Sequence, residues 1–483
     1  DGCNGAEDGN IAIGTNALSA DIAGSDFCVA IGHAALALQN ADVKNTAIGG
    51  LAGDNIQGGD SNTLVGYMAG SAISGGDRNT AMGDEAYLAG TGDDNTIIGA
   101  NAGRGALAGS DNVCVGSAAG YALTDGPGNV CIGRSAGVAM TTGDYNVAIG
   151  MQAADGLVGD ANNNIVIGYA ALGGCTAATS SNIAIGTSAL THASYAAANI
   201  NLAIGQAAGA AITSGTQNVL IGHEAGTTLA GQSNNAAVGF RALKLSTGEK
   251  NVAFGSNAAS VLAGGLYNTA LGYNTLGTAS AGEEGNTAVG FEALVGLNVA
   301  DGDHNTALGY RAGESTGSTV VTDVRLCTYL GSTTRPSAAT GNENEIIIGY
   351  QAVGNGTNTV TLGNTSITEL HCQVALTVDS DKRIKRDITN DDTGLALIEK
   401  LQPVTYKHVN PADYPDVIAS GQYKEFTTEE LVTPAVEAVD AVYEDAIVQE
   451  AREATVEETR DEVHAAIEEV TEDVVTPAAE AVY

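Results

Sequence analysis

Tryptophan is absent from this 483-residue chain, and aromatic residues as a whole make up only 4% of it. Basic residues are also few, since 19 Lys and Arg stand against 56 Asp and Glu, giving a formal net charge of −37. Nucleic acids and anionic membrane surfaces both attract Lys and Arg, so this balance argues against either partner. We interpret the acidic excess as surface charge that keeps the chain soluble and unaggregated.

Long apolar runs are missing too, and no stretch could span a bilayer, so no membrane insertion is predicted. The chain begins Asp1-Gly2-Cys3-Asn4 without a start Met or a signal peptide and stops mid-pattern at Tyr483, so we expect that both ends were trimmed. The seven cysteines lack the spacing of a disulfide framework. Cys114 and Cys131 share one slot of consecutive repeats, where Ala is usual. They are either a disulfide between stacked turns or small core residues, and we favour the second.

Glycine is abundant, with 65 residues, and many of them close a phrase near Asn-Thr/Val-Ala-Ile-Gly. This phrase recurs about every seventeen residues, with its glycine at positions 14, 32, 49, 66, 83, 99, 116, 133, 150, 168, 186, 205, 222, 239, 255, 272, 290, 309, 331, 349 and 363. A period this short predicts a solenoid, in which each repeat is one turn that cannot bury its apolar side alone. We therefore predict a mainly β fold, a repetitive parallel β-roll or β-solenoid that forms a fibre shaft over residues 1–379.

Positions in each repeat are numbered here from that glycine. Position −1 is always apolar, −2 is mostly Ala, and −3 is Thr, Val or Ile, which predicts one short strand per turn. We expect the large −1 residue to fill the interior and the small −2 residue to let another subunit approach. Asn at −4 is expected to form a hydrogen-bonded ladder, and the glycine to provide a positive φ. With turns about 4.8 Å apart, the rod would be on the order of 100 Å long.

The loops allow two other interpretations. Segments such as Gly59-Asp60-Ser61-Asn62 and Gly143-Asp144-Tyr145-Asn146 could supply oxygen ligands for calcium, but the strict nine-residue pattern of calcium-binding β-rolls is missing. We favour solvated turn carboxylates and predict neither a metal nor a cofactor. Thr at −3 could indicate an ice-binding ladder, but Val and Ile interrupt that column.

The repeat resembles the head repeats of trimeric autotransporter adhesins, which carry a similar Asn-x-x-Ala-Ile-Gly phrase. The resemblance covers residues 10 to about 363. It implies a parallel β-roll assembled as a homotrimer. The unit here is longer than the adhesin unit, so an extra loop is expected in each turn.

The composition changes beyond Gly363. Ser380-Asp381-Lys382-Arg383-Ile384-Lys385 is followed by a helical segment over 394–401 and then by Pro403-Val404-Thr405-Tyr406. This order is similar to the endosialidase-type intramolecular chaperone domain at the C-terminus of phage tail fibres and tailspikes. The resemblance implies a second, small α-rich or α+β domain over 380–483.

The same resemblance implies that Ser380 is the nucleophile and Lys385 its base in a single self-cleavage beside Ser380. A Lys can be that base when its pKa is depressed, and the like charges of Lys382, Arg383 and Arg386 act in that direction. The alternatives are a basic hinge with an incidental Ser, or a dyad of His371 and Cys372. Adjacent strand residues point to opposite faces, which disfavours that dyad.

The chain departs from the chaperone pattern after Tyr406. A Gly-Phe-Ile-Ala-Gln-like phrase is missing, and an acidic run with helical spacing occupies about 441–475. The domain is therefore either cut short or carries an acidic insertion, which leaves its ability to cleave open.

The leading hypothesis is a structural, homotrimeric fibre or spike of a bacteriophage. It would be made in the host cytoplasm, exposed on the virion surface and used for host attachment through an unidentified receptor, expected to be a glycan. A bacterial surface adhesin is the alternative, but the outer-membrane strand pattern it should end in is not visible. A glycan-degrading tailspike would need paired acids or aromatic subsites, and none stands out. No turnover enzyme is expected.

Overall fold

The computed structural model describes residues 9–19, 26–39, 44–175, 178–192, 200–279, 282–298, 302–314, 324–338, 340–371 and 373. Apart from residue 373, they belong to one unit, Asp1–Cys372. They form a parallel β-solenoid without a helix among them, which confirms the β-solenoid predicted for the repeats. The predicted boundary between residues 379 and 380 lies outside the described residues, as does the predicted C-terminal domain.

One three-residue strand per turn builds a 21-stranded parallel sheet. Neighbouring turns pair in register, so equivalent residues stand side by side, as Ala47 does with Leu64 and Ile48 with Val65. The strands are Ile11–Ile13, Val29–Ile31, Thr46–Ile48, Thr63–Val65, Thr80–Met82, Thr96–Ile98, Val113–Val115, Val130–Ile132, Val147–Ile149, Ile165–Ile167, Ile183–Ile185, Leu202–Ile204, Val219–Ile221, Ala236–Val238, Val252–Phe254, Thr269–Leu271, Thr287–Val289, Thr306–Leu308, Thr328–Leu330, Ile346–Ile348 and Val360–Leu362.

Two smaller parallel sheets add pairing on other sides of the turns. One joins Ala72–Ile73, Ala89–Gly90 and Ala106–Leu107, and the other joins Val324–Arg325 with Asn342–Glu343. The rest of each turn is held to its neighbours by single backbone hydrogen bonds at turns and corners. The solenoid is therefore bonded from turn to turn on more than one side.

Small and large side chains alternate between two interior positions, −2 and +4. Leu220 at −2 faces Gly226 at +4, and a Cβ placed on Gly226 would lie 2.7 Å from a Leu220 methyl carbon. The reverse arrangement occurs in the turn with Ala237 and Leu243, where both side chains are fully buried. Because packed interiors tolerate neither voids nor overlap, the two positions share one volume in turns such as these. In other turns both positions are small, and a third interior residue fills the space, as Ile56 at +7 does beside Gly53.

The glycine at position 0 is required by close approach of the backbone. Gly222 has φ +138°, and a Cβ placed on it would overlap the carbonyl group of Gly239 in the next turn. This φ is open to glycine and strained for other residues. The prediction of a positive φ at this corner is thus confirmed, and the tight stacking of turns gives a second reason for glycine.

The Asn residues at −4 form the predicted ladder, and those from Asn45 to Asn305 are all buried. The backbone N–H of Asn62 donates to Asn45 Oδ1 at 2.7 Å, and Asn62 Nδ2 donates to the carbonyl oxygen of Gly76 at 2.9 Å. Each such Asn thus bonds to the previous turn through its backbone N–H and to the following turn through its side chain. The column departs from Asn at Cys28 and, near the other end, at Cys327, Glu345 and Thr359.

Candidate functional site

The outward face of the main sheet is apolar along its whole length. In each strand the middle residue is turned inwards and the two flanking residues face outwards, as shown by Ala81, which is buried, between Thr80 and Met82. Ile13, Met82 and Phe254 at position −1 are 59%, 45% and 54% exposed. The expectation that the large −1 residue fills the interior is therefore wrong. The small −2 residue fills it instead, because stacked turns leave little room inside.

We call the residues at −3 and −1 the outer columns. They are uncharged in every strand of the main sheet. Position −3 holds Thr, Val, Ile, Leu or Ala, and position −1 holds Ile, Val, Leu, Met or Phe. The chain has a net charge of −37, yet this band of outward-facing residues carries no charged side chain over its whole length. Contiguous exposed apolar surface of this kind marks interaction sites.

Aromatic rings at position +1 border the outer columns in the C-terminal half of the rod. Tyr273, Phe291 and Tyr310 stack in three consecutive turns, with ring centroids 5.2 and 5.3 Å apart. Arg311 lies over the Tyr310 ring and forms an ion pair with Glu292 at 2.7 Å. The stacked rings and the Arg311 contacts therefore add side-chain interactions between consecutive turns at this edge of the sheet.

Carboxylates in the loops bond to the backbone of the neighbouring turn. Asp77 Oδ1 accepts the backbone N–H of Asp60, and Asp93 Oδ1 accepts that of Asp77, both at 2.9 Å. They form a second ladder at position −6, which Ser110 continues. A search of the described residues for three or more potential metal-ligating side chains close together finds none. The position −6 side chains therefore have a bonding role between turns.

Cys114 and Cys131 are paired in register, fully buried and free. The neighbouring Cys131 side chain and burial raise the pKa of the Cys114 thiol well above its usual value. A protonated thiol behaves as a small apolar group, so the pair occupies the interior in the way the favoured interpretation describes.

Ser380 and Lys385 lie outside the described residues, so the proposed cleavage site stays a sequence prediction. His371 is described, and its Nε2 lies 2.9 Å from Glu369 Oε2 on an exposed segment. Cys372 lies outside the described residues, so the His371–Cys372 dyad stays an untested alternative.

Sequence reasoning missed three features of the surface: the outward direction of the −1 residues, the second ladder at −6, and the aromatic stack at +1. Two of them have a signal in the sequence. Asp60, Asp77 and Asp93 recur at one position of consecutive repeats, and so do Tyr273, Phe291 and Tyr310. Alternation alone cannot show which side of a strand faces inwards, since both sides are apolar.

Comparison with protein families and with curated proteins finds no match to this chain. Within the described part of the chain, no helix has the length and apolar character needed to cross a membrane.

Proposed function

We propose that this chain is a structural, trimeric fibre or spike of a bacteriophage that attaches the virion to a host surface. The observation that supports it most is the uncharged apolar band formed by the outer columns. A rigid, regular rod with one such band is suited to associate with copies of itself, and its regularity offers no enzyme-like centre among the described residues.

The band is large enough for a stable interface. Twenty-one strands spaced about 4.8 Å apart, each about 10 Å long, present about 1,000 Å² per copy. A standard interface buries about 800 Å² per partner. Copies that meet through their outer columns bring together the face that carries no charge, so the repulsion between acidic chains is smallest there.

A second copy also matches the band in period. The outer columns repeat at the spacing of the turns, so a partner must repeat at the same spacing to place apolar residues opposite them along the rod. Another copy of the same chain meets this condition because its turns have the same spacing. Three copies around an axis would each turn the outer columns towards that axis, and such an assembly would be the homotrimer that the resemblance to trimeric adhesin heads implies.

Assembly of this kind has a register problem. Identical repeats can pair one turn out of step at little cost, so a device that aligns three chains at one end is useful. The segment with Ser380 and Lys385 is proposed to be that device, a chaperone that aligns the chains and is then released by self-cleavage. The rod would persist afterwards because unfolding is slow.

The test of assembly is a triple variant of the outer columns, Ile149→Glu, Ile167→Glu and Ile185→Glu. We expect the parent chain to have the mass of a trimer by light scattering and the variant to be a monomer with unchanged β circular dichroism. The control places the same three carboxylates in the same turns on exposed corners, with Tyr145→Glu, Asn163→Glu and Ser181→Glu, and should remain a trimer. A monomeric parent would overturn the proposed assembly.

The test of cleavage is separate. On a denaturing gel we expect two fragments for the parent and one band for Ser380→Ala and for Lys385→Met, while Ser366→Ala should cleave like the parent. An uncleaved parent would remove the self-cleaving chaperone from the proposal and leave the assembly result unaffected.

A further inference from the structure

A cleft of about 600 Å³ lies between the last turns of the described rod. We call it the Arg335 cleft. Its polar lining includes Arg335, Gln351, Asn355, Thr361, Asn364 and Thr365. Its volume is in the range of small-molecule sites, and it combines one cation with several neutral hydrogen-bonding groups.

Arg335 is unusual in its position. It stands at +4, where the other turns have Leu, Gly, Ala, Tyr, Val or Ile. Its backbone is fixed on both sides, because its N–H donates to Ala352 O and its carbonyl accepts from Gly354 N, each at 2.9 Å. An arginine has thus replaced an apolar residue at a well-ordered place in the fold.

The Nε of Arg335 is buried and has no hydrogen-bond partner among the described residues. The buried carboxylate of Glu345 does not serve it, since Oε1 accepts from Gly356 N at 2.7 Å and Oε2 from Ser337 N at 3.2 Å. Within the described residues Arg335 forms no ion pair, and neither does Arg134, whose exposed Nη2 instead contacts Met151 Sδ at 3.0 Å. The five other described arginines form ion pairs: Arg78, Arg104, Arg241, Arg311 and Arg325.

An unsatisfied buried donor is costly, and more so when the group is charged. Only Nε of Arg335 is in this state, but the side chain as a whole is half-buried, lines the cleft and forms no ion pair among the described residues, so an anion in the cleft would supply the charge partner that the described residues do not. Its planar fork fits a carboxylate through two parallel hydrogen bonds. The cleft has one cation, which matches a ligand with a single negative charge.

We propose that the Arg335 cleft binds a small polyhydroxylated carboxylate, the chemical class of the sugar acids. The carboxylate would pair with Arg335, and the hydroxyl groups would bond to the amides and hydroxyls of Gln351, Asn355, Thr361 and Asn364. This site belongs to a single chain, so it does not depend on the proposed trimer or on cleavage.

The net charge of −37 repels anions at long range, but the repulsion is screened beyond about 8 Å at physiological ionic strength. Binding should therefore be measured at that ionic strength. Titration calorimetry on the full chain with sodium glucuronate should give saturable binding of one ligand per chain. Glucose, which lacks the carboxylate, should not bind measurably.

Two variants test the role of Arg335. Arg335→Gln should weaken glucuronate binding tenfold or more, as expected for the loss of a charged hydrogen-bonding partner. Arg335→Lys keeps the positive charge but loses the two parallel N–H donors of the guanidinium, so it should also weaken binding. The control Arg311→Gln removes a surface arginine that is already paired, and should bind like the parent.

Equal affinity of Arg335→Gln and the parent would overturn the proposal, as would tighter binding of inorganic phosphate than of glucuronate. Thermal unfolding without ligand gives a second readout. If Arg335 is kept for a ligand, Arg335→Gln should be at least as stable as the parent. A clear loss of stability in that variant would instead assign Arg335 a structural role.

Discussion

The backbone N–H of Asn146 donates to Asn129 Oδ1, one turn earlier in the rod, at 2.9 Å. Asn146 Nδ2 donates to the same oxygen at 3.0 Å and to Ala161 O, one turn later, at 2.7 Å. One side chain therefore ties three consecutive turns together, and the relationship repeats along most of the solenoid.

Removing one member of this ladder should destabilise the rod clearly. Asn146→Ala leaves the backbone N–H of Asn164 and the carbonyl of Ala161 without their partner, which costs about 1–3 kcal/mol per buried group. Urea unfolding followed by circular dichroism measures the loss. The control Asn55→Ala removes a half-buried amide whose hydrogen bond with Gln57 is exposed to solvent, and should change the free energy of unfolding by less than about 0.5 kcal/mol. A loss in Asn146→Ala as small as in the control would contradict the role of the ladder.

Substitution of a glycine at position 0 should destabilise the rod more than substitution of a glycine elsewhere. Gly222→Ala adds a strained φ and an overlap with the carbonyl of Gly239, so we expect a loss of about 3 kcal/mol or more. Gly75→Ala also has a positive φ, but its added Cβ has nothing within 4 Å, so the strain of about 1–2 kcal/mol acts alone. Unfolding midpoints should separate the two variants. Equal losses would show that close stacking of turns is not the constraint.

The shared interior volume predicts a compensating pair. Leu220→Ala should destabilise by about 2–5 kcal/mol through a cavity. Gly226→Leu alone should destabilise because its side chain overlaps Leu220. A Cβ on Gly226 would also lie 2.8 Å from a Leu229 methyl carbon, and the turn with Ala237 and Leu243 has Ser246 at that position. All four chains are therefore compared in a Leu229→Ser background. There the double variant recreates the Ala237 and Leu243 arrangement, in which Leu243 has φ +49° without glycine.

A double-mutant cycle is the measurement for this pair. We expect the double variant to be more stable than either single variant, with a coupling energy of at least about 1 kcal/mol. Losses that simply add would show that the two positions do not share a volume.

Asp155 should make the rod less stable as the pH rises. Burial raises the pKa of its carboxyl, and one of its oxygens, Oδ1, is buried without a hydrogen-bond partner. A raised folded-state pKa means that the stabilising contribution is fully present below the unfolded value of 3.8 and is lost as the pH rises through the folded value.

At pH 7, Asp155→Asn should therefore be more stable than the parent, by less than about 1 kcal/mol because the group is partly solvated. The difference should shrink as the pH approaches 3.8. Urea unfolding of both chains from pH 3.5 to 7 tests this. A variant that is less stable than the parent at pH 7 would show that the carboxylate has a favourable partner.

The solenoid, the period, the glycine corner and the Asn ladder were predictable because each depends on residue type at a fixed spacing. The direction of the strand faces was not, since Ala148 and Ile149 are both apolar and only the size of the interior decides between them. The volume sharing of Leu220 and Gly226 joins residues on two sides of a turn. Arg335 was visible in sequence as an outlier, but its unpartnered nitrogen depends on three-dimensional contacts.

The in-register pairing of turns also gives the rod a mechanical direction. Its inter-turn hydrogen bonds run along the long axis, so a pull on the chain ends loads one turn at a time and peels the rod from its end. A bending load is instead shared by many turns at once. We therefore expect stiffness against bending together with stepwise uncoiling under tension, with each step releasing the contour length of one repeat.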